Sequence, residues 1–308
     1  MGRTMSMIDL CTLGTGGSLP MPDRGLSSLY VRVNGRLLLV DCGEGTQTAV
    51  RRLGWGFVTV DHILITHFHA DHCGGLPGFL LSIAKTPRTE PVHIWGPVGL
   101  KAVVAGLRVI CPQLPFQVIV HELTPGETFS AIGLEINCFA LDHGMPCLGY
   151  RFDLHRPAAF SPEKAQALNV PQSMWKLLQQ GQDVTVDGCT VTRQQVSGEP
   201  RRGLSFLYCT DTRPVGAIAQ YGYETDLMFL EGMYGSDDKM PQAKKNHHSL
   251  YRESAALARD AGTKALALTH FSTCIEDPEE FLPLAQEVFP DTFCAQDLMT
   301  WTLRFPQR

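Results

Sequence analysis

The segment Thr66–Gly75, THFHADHCGG, places three histidines and an aspartate within six residues, directly after an apolar run. Such a pattern is typical of a buried strand that ends in a group of polar side chains. His67 and His69 would lie on one face if extended geometry continues, while Asp71 and His72 turn toward a second point nearby. The spacing therefore predicts two adjacent metal sites at the end of a strand.

The side chains of this segment also limit which metal would bind. Neutral imidazoles and a carboxylate suit zinc, and manganese or iron accept the same ligands. The alternatives are surface histidines or a structural zinc site. Structural zinc usually recruits several cysteines, whereas only Cys73 lies close by in the sequence. The segment is therefore interpreted as a catalytic metal centre.

The composition excludes several classes of protein. The chain has 308 residues, of which 44% are hydrophobic and 19% charged, as expected of a globular fold. No apolar run approaches the ~18 residues of a membrane span, and the N-terminus has no signal-peptide pattern. Ten scattered cysteines without a C-x-x-C pair predict reduced thiols and a cytoplasmic protein. A net charge of −5 argues against a surface that coats nucleic acid, although a local basic patch stays open.

Strand and helix signals alternate along the chain. Asn34-Gly35 between LYVRV and RLLLV predicts a β-hairpin with a two-residue turn. Further strands are expected at 62–66 and 92–95, and a helix is expected from about Leu76. Ser161-Pro162 and Asp277-Pro278 are N-cap signals that predict two helix starts.

A β-rich first half, later strands and interspersed helices favour one α/β domain over 1–308, an αββα sandwich with helices outside two packed sheets. The segment 156–203 is an exception within it. It is rich in Gln, Pro and Gly and is longer than an ordinary connection. Such a length predicts an inserted arm with a function of its own.

H-x-H-x-D-H after an apolar strand resembles the signature of the metallo-β-lactamase superfamily. The later ligand positions of that superfamily have counterparts in order, in ALDHGMPCLGYRF, YCTDTRP and ALTHFS. By this resemblance two zinc ions are implied, one held by His67, His69 and His143, the other by Asp71, His72 and His270, with Asp211 bridging.

Within the superfamily the chain is similar to ribonuclease Z from about Ile8 to Phe305. The likeness lies in LGTGG, GRLLLVDCGEGTQ, THFHADHCGGLPG, YCTDTRP and LTHFS. It implies a zinc endoribonuclease that removes the 3′ trailer of precursor tRNA through a metal-activated hydroxide, acting as a homodimer. Asp41 would support the ligands from behind, although an aspartate before Gly43 is also ordinary turn chemistry.

The same resemblance assigns roles in the reaction. Asp71 would orient the attacking water or take its proton, and His248 would protonate the departing 3′ oxygen while Glu231 holds its ring. His248 could instead be a surface residue at a helix start. Arg24 and Arg213 are candidate substrate-binding residues. Further candidate contacts to an RNA backbone, which are at least as well explained as ordinary solvated charges, are Arg51, Arg52, Arg201, Arg202, Lys244 and Lys245.

Some family motifs differ in this chain. The loop that is P-x-K-x-R-N in the family is Pro20–Gly25 here and lacks its Lys and Asn, and the arm has no Gly-Pro and only two lysines. These departures keep a second function open, a dinuclear-metal hydrolase of small substrates such as a cyclic nucleotide, a lactone or a thioester. A metal-binding scaffold without turnover is the third alternative.

Overall fold

A computed structural model describes residues 7–306. These residues form sixteen strands: β1 (Met7–Gly14), β2 (Ser28–Val33), β3 (Arg36–Val40), β4 (Val60–Leu64), β5 (Val92–Pro97), β6 (Val118–Leu123), β7 (Thr128–Ala131), β8 (Leu134–Ala140), β9 (Leu148–Arg156), β10 (Val184–Val186), β11 (Cys189–Val191), β12 (Arg201–Cys209), β13 (Leu227–Glu231), β14 (Leu266–Thr269), β15 (Thr292–Cys294) and β16 (Met299–Arg304).

The same residues form ten α-helices and four short 3₁₀ turns. The helices are α1 (Thr46–Leu53), α2 (Ala70–Cys73), α3 (Leu76–Ala84), α4 (Leu100–Leu107), α5 (Pro162–Ala167), α6 (Gln172–Gln179), α7 (Gly216–Tyr221), α8 (Met240–Asn246), α9 (Tyr251–Ala261) and α10 (Leu282–Gln286). The 3₁₀ turns are Arg108–Ile110, Gln194–Val196, Asp237–Lys239 and Pro278–Phe281. Within 7–306, no helix combines the length and the apolar character that crossing a membrane requires.

Two seven-stranded sheets carry the fold. The first has the order β16-β1-β2-β3-β4-β5-β6 and the second β15-β14-β13-β12-β9-β8-β7. Strands β3 to β6 run parallel in the first sheet, and β12 to β15 run parallel in the second. Parallel strands need crossover connections, which supply the helices on the outer faces. The predicted αββα sandwich is confirmed.

Three apolar clusters separate the layers. One lies between the sheets and joins side chains such as Val31 and Leu38 of the first sheet to Phe152 and Phe206 of the second. Another packs α1, α3 and α4 on the outer face of the first sheet, and the third packs α7, α9 and α10 on the second. Burial of both sheet faces explains why the central strands are continuously apolar and do not alternate.

The hairpin between β2 and β3 has the predicted turn. Asn34 and Gly35 have φ angles of 50° and 78°, the left-handed backbone that a two-residue hairpin turn requires. Val33 pairs with Arg36 across it. Asparagine and glycine are the residues that adopt this conformation at least cost, so two residues were enough to predict this hairpin.

Two other local predictions need adjustment. β4 ends at Leu64 and does not reach Thr66, because the Thr66 N–H leaves the ladder and donates to the Asp41 carboxylate at 2.8 Å. Ser161 caps α5 as predicted, its hydroxyl accepting from the Lys164 N–H. Asp277 also acts as a cap, but the turn it begins is 3₁₀ over Pro278–Phe281 before α10 starts.

Residues His155–Gly203 form a compact unit separate from the rest of the chain. This unit holds α5, α6 and the β10–β11 hairpin around its own small core, with Ala165, Leu178 and Val196 fully buried. Trp175 packs on that core and donates its indole N–H to the Val170 carbonyl. The inserted arm expected at 156–203 coincides with this unit, and its use stays a prediction.

Phe152→Ala should lower the free energy of unfolding by about 3–5 kcal/mol, because it empties a fully buried site. Phe152 stacks on Phe206 with ring centroids 4.3 Å apart in the core between the sheets. Urea titration of metal-free protein would measure the change. Val58→Ala, at a half-exposed position, is the control and should shift stability by less than about 0.5 kcal/mol. A loss below about 1 kcal/mol for Phe152→Ala would contradict the packing described.

Candidate metal centre

The seven predicted ligand positions come from four separate connections that follow strands. His67 and His69 follow β4, and α2 then carries Asp71 and His72. The other three lie just beyond the ends of further strands: His143 after β8, Asp211 after β12 and His270 after β14. β4, β12 and β14 belong to the parallel parts of their sheets, where the carboxyl ends of strands meet at one edge and sites are built, whereas β8 pairs antiparallel with its neighbours. The fold brings all seven together.

Four of these residues form a first donor group. His69 Nδ1 lies 3.0 Å from His67 Nε2 and 3.1 Å from His143 Nε2. Asp211 Oδ2 is 3.7 Å from the His67 nitrogen and 3.5 Å from the His143 nitrogen. All four donor atoms lie within 4.8 Å of one another. This is the set that the resemblance assigns to the first ion, together with the bridging aspartate.

Asp71, His72 and His270 form a second donor group. The Nε2 atoms of His72 and His270 are 3.2 Å apart, and Asp71 Oδ2 is 3.5 Å from each. The other carboxylate oxygen of Asp211, Oδ1, is 2.9 Å from His270 Nε2. Asp211 therefore presents one oxygen to each group, which is the position of a bridging ligand.

The donors fit metal ions better than they fit one another. His69 Nδ1 cannot form good hydrogen bonds to two imidazole nitrogens at once, since a neutral imidazole carries one N–H. Asp211 Oδ1 is buried and makes no hydrogen bond of good geometry among residues 7–306, although His270 Nε2 lies only 2.9 Å away. Buried polar atoms are normally paired, so imidazole nitrogens and carboxylate oxygens that converge without good hydrogen bonds indicate a cation. The centre is a metal-binding site.

The electrostatics of the centre reflect a surplus of buried negative charge. Burial alone would raise the pKa of Asp211, but the charges of His270 and His72 hold it well below its ordinary value. Burial disfavours the charged form of His270, yet Asp211 raises its pKa to about 9. Burial and the neighbouring His72 lower the pKa of His67. The raised pKa of His270 thus offsets part of the carboxylate charge, a task that a divalent cation would also perform.

Asp41 supports the centre from behind and is fully buried. One of its oxygens lies 2.8 Å from His72 Nδ1, which leaves Nε2 of that ring facing the second group. The Thr66 N–H and hydroxyl donate to the same carboxylate at 2.8–3.0 Å. Such a carboxylate fixes the tautomer and the orientation of a ligand imidazole. These contacts favour the supporting role over the ordinary turn aspartate.

Backbone conformation at the centre is unusual. Asp41, Asp211 and His270 have φ angles of 58°, 61° and 55°, in the left-handed region that non-glycine residues rarely occupy. Each such residue costs roughly 1–3 kcal/mol and persists only where surrounding structure over-determines it. The strained residues are Asp41, which supports the ligands, Asp211, which lies between the two donor groups, and His270, a proposed ligand. At these positions the direction of the side chain matters most.

His248 and Glu231 lie beside the two ligand sets assigned above, and a donor atom of His248 also lies within 4.8 Å of donor atoms of Asp211 and His270. His248 Nδ1 is 2.7 Å from Glu231 Oε2, and the His248 ring centroid is 5.0 Å from that of His143. The other Glu231 oxygen accepts from the Thr212 N–H at 2.6 Å. Burial lowers the pKa of His248, but the Glu231 carboxylate outweighs it, so that the pKa is raised. The ring is held in one orientation and favours its protonated form.

The two candidate substrate-binding arginines have different surroundings. The guanidinium of Arg213 pairs with Glu253 and donates to the His248 carbonyl, so it is engaged within the loops of the centre. Arg24 donates to the carbonyls of Ser272 and Glu276 beside a cavity of about 480 Å³. Their contact with substrate stays a prediction for both.

Several residues of the centre had no strong sequence signal. The Ser18 N–H donates to Asp71 Oδ2 at 2.7 Å, and His143 Nδ1 lies 3.1 Å from the His247 carbonyl. Thr66 stands immediately before the histidine cluster, which could have marked it as a neighbour. Ser18 and His247 act through their backbones, which residue type does not reveal.

The chain was compared with family models, with curated proteins and with solved structures, and each comparison gives matches. A family model described as Anti-Pycsar protein Apyc1 matches residues 8–192. Ribonuclease Z of Lachnospira eligens is 45% identical over 300 residues, covering 97% of this chain and 99% of that protein. Ribonuclease Z of Lachnoclostridium phytofermentans is 44% identical over 300 residues, with the same coverage of both chains.

Solved structures give the same result for the fold. The crystal structure of the short form of human tRNase Z matches with a TM-score of 0.69 and 25% identity, over 97% of this chain and all of that one. YhfI from Bacillus subtilis, described as a metallo-beta-lactamase fold protein, matches with a TM-score of 0.70 and 16% identity, over 96% of this chain and 99% of that one.

The four-layer sandwich with its donor groups at the strand ends defines a protein of the metallo-β-lactamase fold, as the resemblance implied. The Apyc1 model stops before Asp211 and His270, whereas the ribonuclease Z relatives span the whole centre at more than 40% identity. The chain belongs to the ribonuclease Z family.

Asp41→Asn should weaken metal binding by about 10- to 100-fold, because it removes the charge that orients His72. Competition with a chromogenic chelator would measure the affinity. Asp9→Asn is the matched control, since that carboxylate pairs with Arg32 and belongs to neither donor group. Equal affinities for the two variants would show that Asp41 does not support the ligand.

Proposed function

We propose that the chain is a metal-dependent endoribonuclease that hydrolyses the phosphodiester at the 3′ side of precursor tRNA and so removes the 3′ trailer. One observation carries this proposal: Asp211 presents one oxygen to each of two donor groups, which lie beside the His248–Glu231 pair. A scaffold that only holds metal has no use for a histidine held by a buried glutamate beside its ligands. Membership of the ribonuclease Z family supports the choice of RNA as the substrate.

The proposed cofactor is two zinc ions, one held by His67, His69 and His143, and one held by Asp71, His72 and His270, with Asp211 between them. When bound, such ions supply Lewis acidity toward phosphoryl oxygens and lower the pKa of water. Manganese and iron accept the same ligands, so zinc is the expectation for nitrogen-rich donors.

Asp71 is proposed to orient the attacking water. Burial opposes its ionisation, but the imidazoles of His270 and His72 outweigh burial and keep its pKa below the ordinary value. A carboxylate of low pKa is a weak base at neutral pH, so it suits a hydrogen-bond acceptor better than a proton acceptor. The Ser18 N–H on Asp71 Oδ2 fixes its direction.

His248 is proposed to protonate the departing 3′ oxygen. A 3′ alkoxide is a poor leaving group and needs a proton as the bond to phosphorus breaks. Glu231 holds the ring by Nδ1 and raises its pKa, so Nε2 can present a proton near neutral pH. The products would be a tRNA body that ends in a 3′ hydroxyl and a trailer with a 5′ phosphate.

The remaining parts of the proposal concern partners and location. The arm at 156–203 is proposed to contact the folded RNA, with shape and phosphate contacts outweighing base reading. A homodimer is proposed from the family. A cytoplasmic location is proposed because all ten cysteines are free thiols, as in a reducing compartment.

A second candidate is a phosphodiesterase of small substrates. It is favoured by the Pro20–Gly25 loop, which lacks the Lys and Asn of the family motif, and by an arm with only two lysines. Fewer cations mean fewer phosphate contacts and weaker RNA binding.

A precursor tRNA with a 3′ trailer should be cut just after the discriminator base by the wild-type chain. Asp71→Ala should reduce this rate by at least about tenfold, since it removes the group that orients water. Gel analysis of labelled RNA would measure both, with bis(p-nitrophenyl) phosphate assayed alongside. Turnover of the small diester without RNA cleavage would favour the second candidate. A variant that keeps more than about a tenth of the wild-type rate would remove Asp71 from its role.

His248→Ala should lower kcat on RNA by about 10²- to 10⁴-fold, the usual contribution of a general acid. Because His248 is outside the proposed ligand sets, the metal content should equal that of the wild type. Elemental analysis after dialysis would measure it, and His72→Ala, which removes a proposed ligand, is the control that should lose metal. Loss of metal from His248→Ala would make that histidine a ligand and not an acid.

A further inference from the structure

An exposed pair of side chains connects the two loops of the centre. Asp142 immediately precedes His143, and His247 immediately precedes His248. His247 Nδ1 lies 2.9 Å from Asp142 Oδ1, and the two side chains are 42% and 51% exposed. By contrast the Glu231 side chain, which holds His248 from the other side, is only 1% exposed. The pair therefore lies at the solvent side of the centre.

The pair closes a ring of hydrogen bonds around the loops. The Asp142 N–H donates to the Thr212 hydroxyl at 3.0 Å, and the Thr212 N–H donates to Glu231 Oε1 at 2.6 Å. Glu231 Oε2 pairs with His248 Nδ1. His248 is covalently linked to His247, and the His247 ring pairs with the Asp142 carboxylate, which closes the ring. Every other link in this ring uses a backbone group or a buried side chain. The His247 ring supplies the one link that solvent reaches.

The backbone of His247 has a separate role at the centre. Its φ angle of 56° is left-handed, and its carbonyl faces His143 Nδ1 at 3.1 Å. Its ring lies over Gly144, where an added Cβ would meet it at 3.6 Å. The backbone thus serves the ligand His143, while the ring serves the connection to Asp142. These two roles can be separated by substitution.

Stability does not account for the pair. Exposed ion pairs contribute only about 0–1 kcal/mol to folding, and a left-handed histidine costs as much or more. A displacement of about 1 Å in a catalytic group, however, can cost 10²-fold in rate. The geometry is therefore better explained by what the pair positions than by what it stabilises.

We infer that His247 is a positioning residue, whose ring, bound to Asp142, sets the place of the general acid His248. This inference rests on the proposed function, in which His248 protonates the leaving oxygen. It adds that the acid, whose carbonyl also accepts from Arg213, is held by Glu231 from within and by the Asp142–His247 pair from the solvent side.

The test uses substrates that differ in their need for an acid. Precursor RNA loses a 3′ alkoxide, which needs a proton, whereas bis(p-nitrophenyl) phosphate loses a nitrophenolate, which does not. His247→Gly keeps the left-handed backbone and the carbonyl toward His143 but removes the ring. It should lower kcat on RNA by about tenfold or more, with KM and the rate on the small diester changed less than about twofold.

Three companion variants complete the design. Asp142→Ala should equal His247→Gly, and the double variant should be no slower than either, since residues in one interaction are non-additive. His247→Asn tolerates the left-handed backbone and keeps a side-chain N–H for Asp142, so it should restore the RNA rate to within about threefold of wild type. A role confined to folding would change thermal stability and both substrates together.

His248→Ala separates failure of the inference from failure of the proposed function. If it slows RNA cleavage far more than diester hydrolysis and His247→Gly does not, the inference alone is wrong. If His248→Ala slows both substrates equally, His248 is not the acid, and the role of His247 falls with it. Additive effects of Asp142→Ala and His247→Gly would also overturn the inference.

Discussion

The centre depends on burying two carboxylates, Asp41 and Asp211, among imidazoles with almost no access to water. Burial of an unpaired charge costs several kcal/mol or more, so the surrounding side chains must supply opposite charge. Asp211 presents one oxygen to each donor group, while Asp41 holds His72 from behind. A pair of divalent cations would satisfy the same demand more fully than protons do. The charge of the centre thus links its architecture to its metal chemistry.

The sandwich allows these carboxylates to be buried because the centre lies outside the apolar core. Three apolar clusters fill the space between and outside the sheets, and the donors sit on connections beyond the strand ends. The packed strands hold the start of each connection rigidly. Left-handed residues at Asp41, Asp211 and His270 then turn the side chains inward at points where a regular strand could not. Rigid layers and strained ends together give a preorganised site.

The proposed catalytic groups and the metal ligands are held by the same loops and by linked hydrogen bonds. Thr212 follows Asp211 in the chain and donates to Glu231, which in turn holds His248. The carbonyl of His247 orients His143, although His247 itself neighbours the acid. A shift in one loop would therefore reach both the ligands and the proton donor. This coupling explains why exposed side chains at the rim can matter to chemistry at the centre.

The sequence by itself determined whatever depends on neighbours in the chain. Asn34-Gly35 specified the hairpin, Ser161 the start of α5, and the cluster from His67 to His72 the metal chemistry, because each relies on local backbone preference or on residue type. Resemblance to a known family added Asp211 and His270 to the predicted metal ligands. Tertiary structure alone decided that β4 ends before Thr66, that Asp41 binds His72, and that His247 meets Asp142 across more than a hundred residues. Those contacts depend on how sheets pack and where connections meet, and no local pattern encodes that geometry.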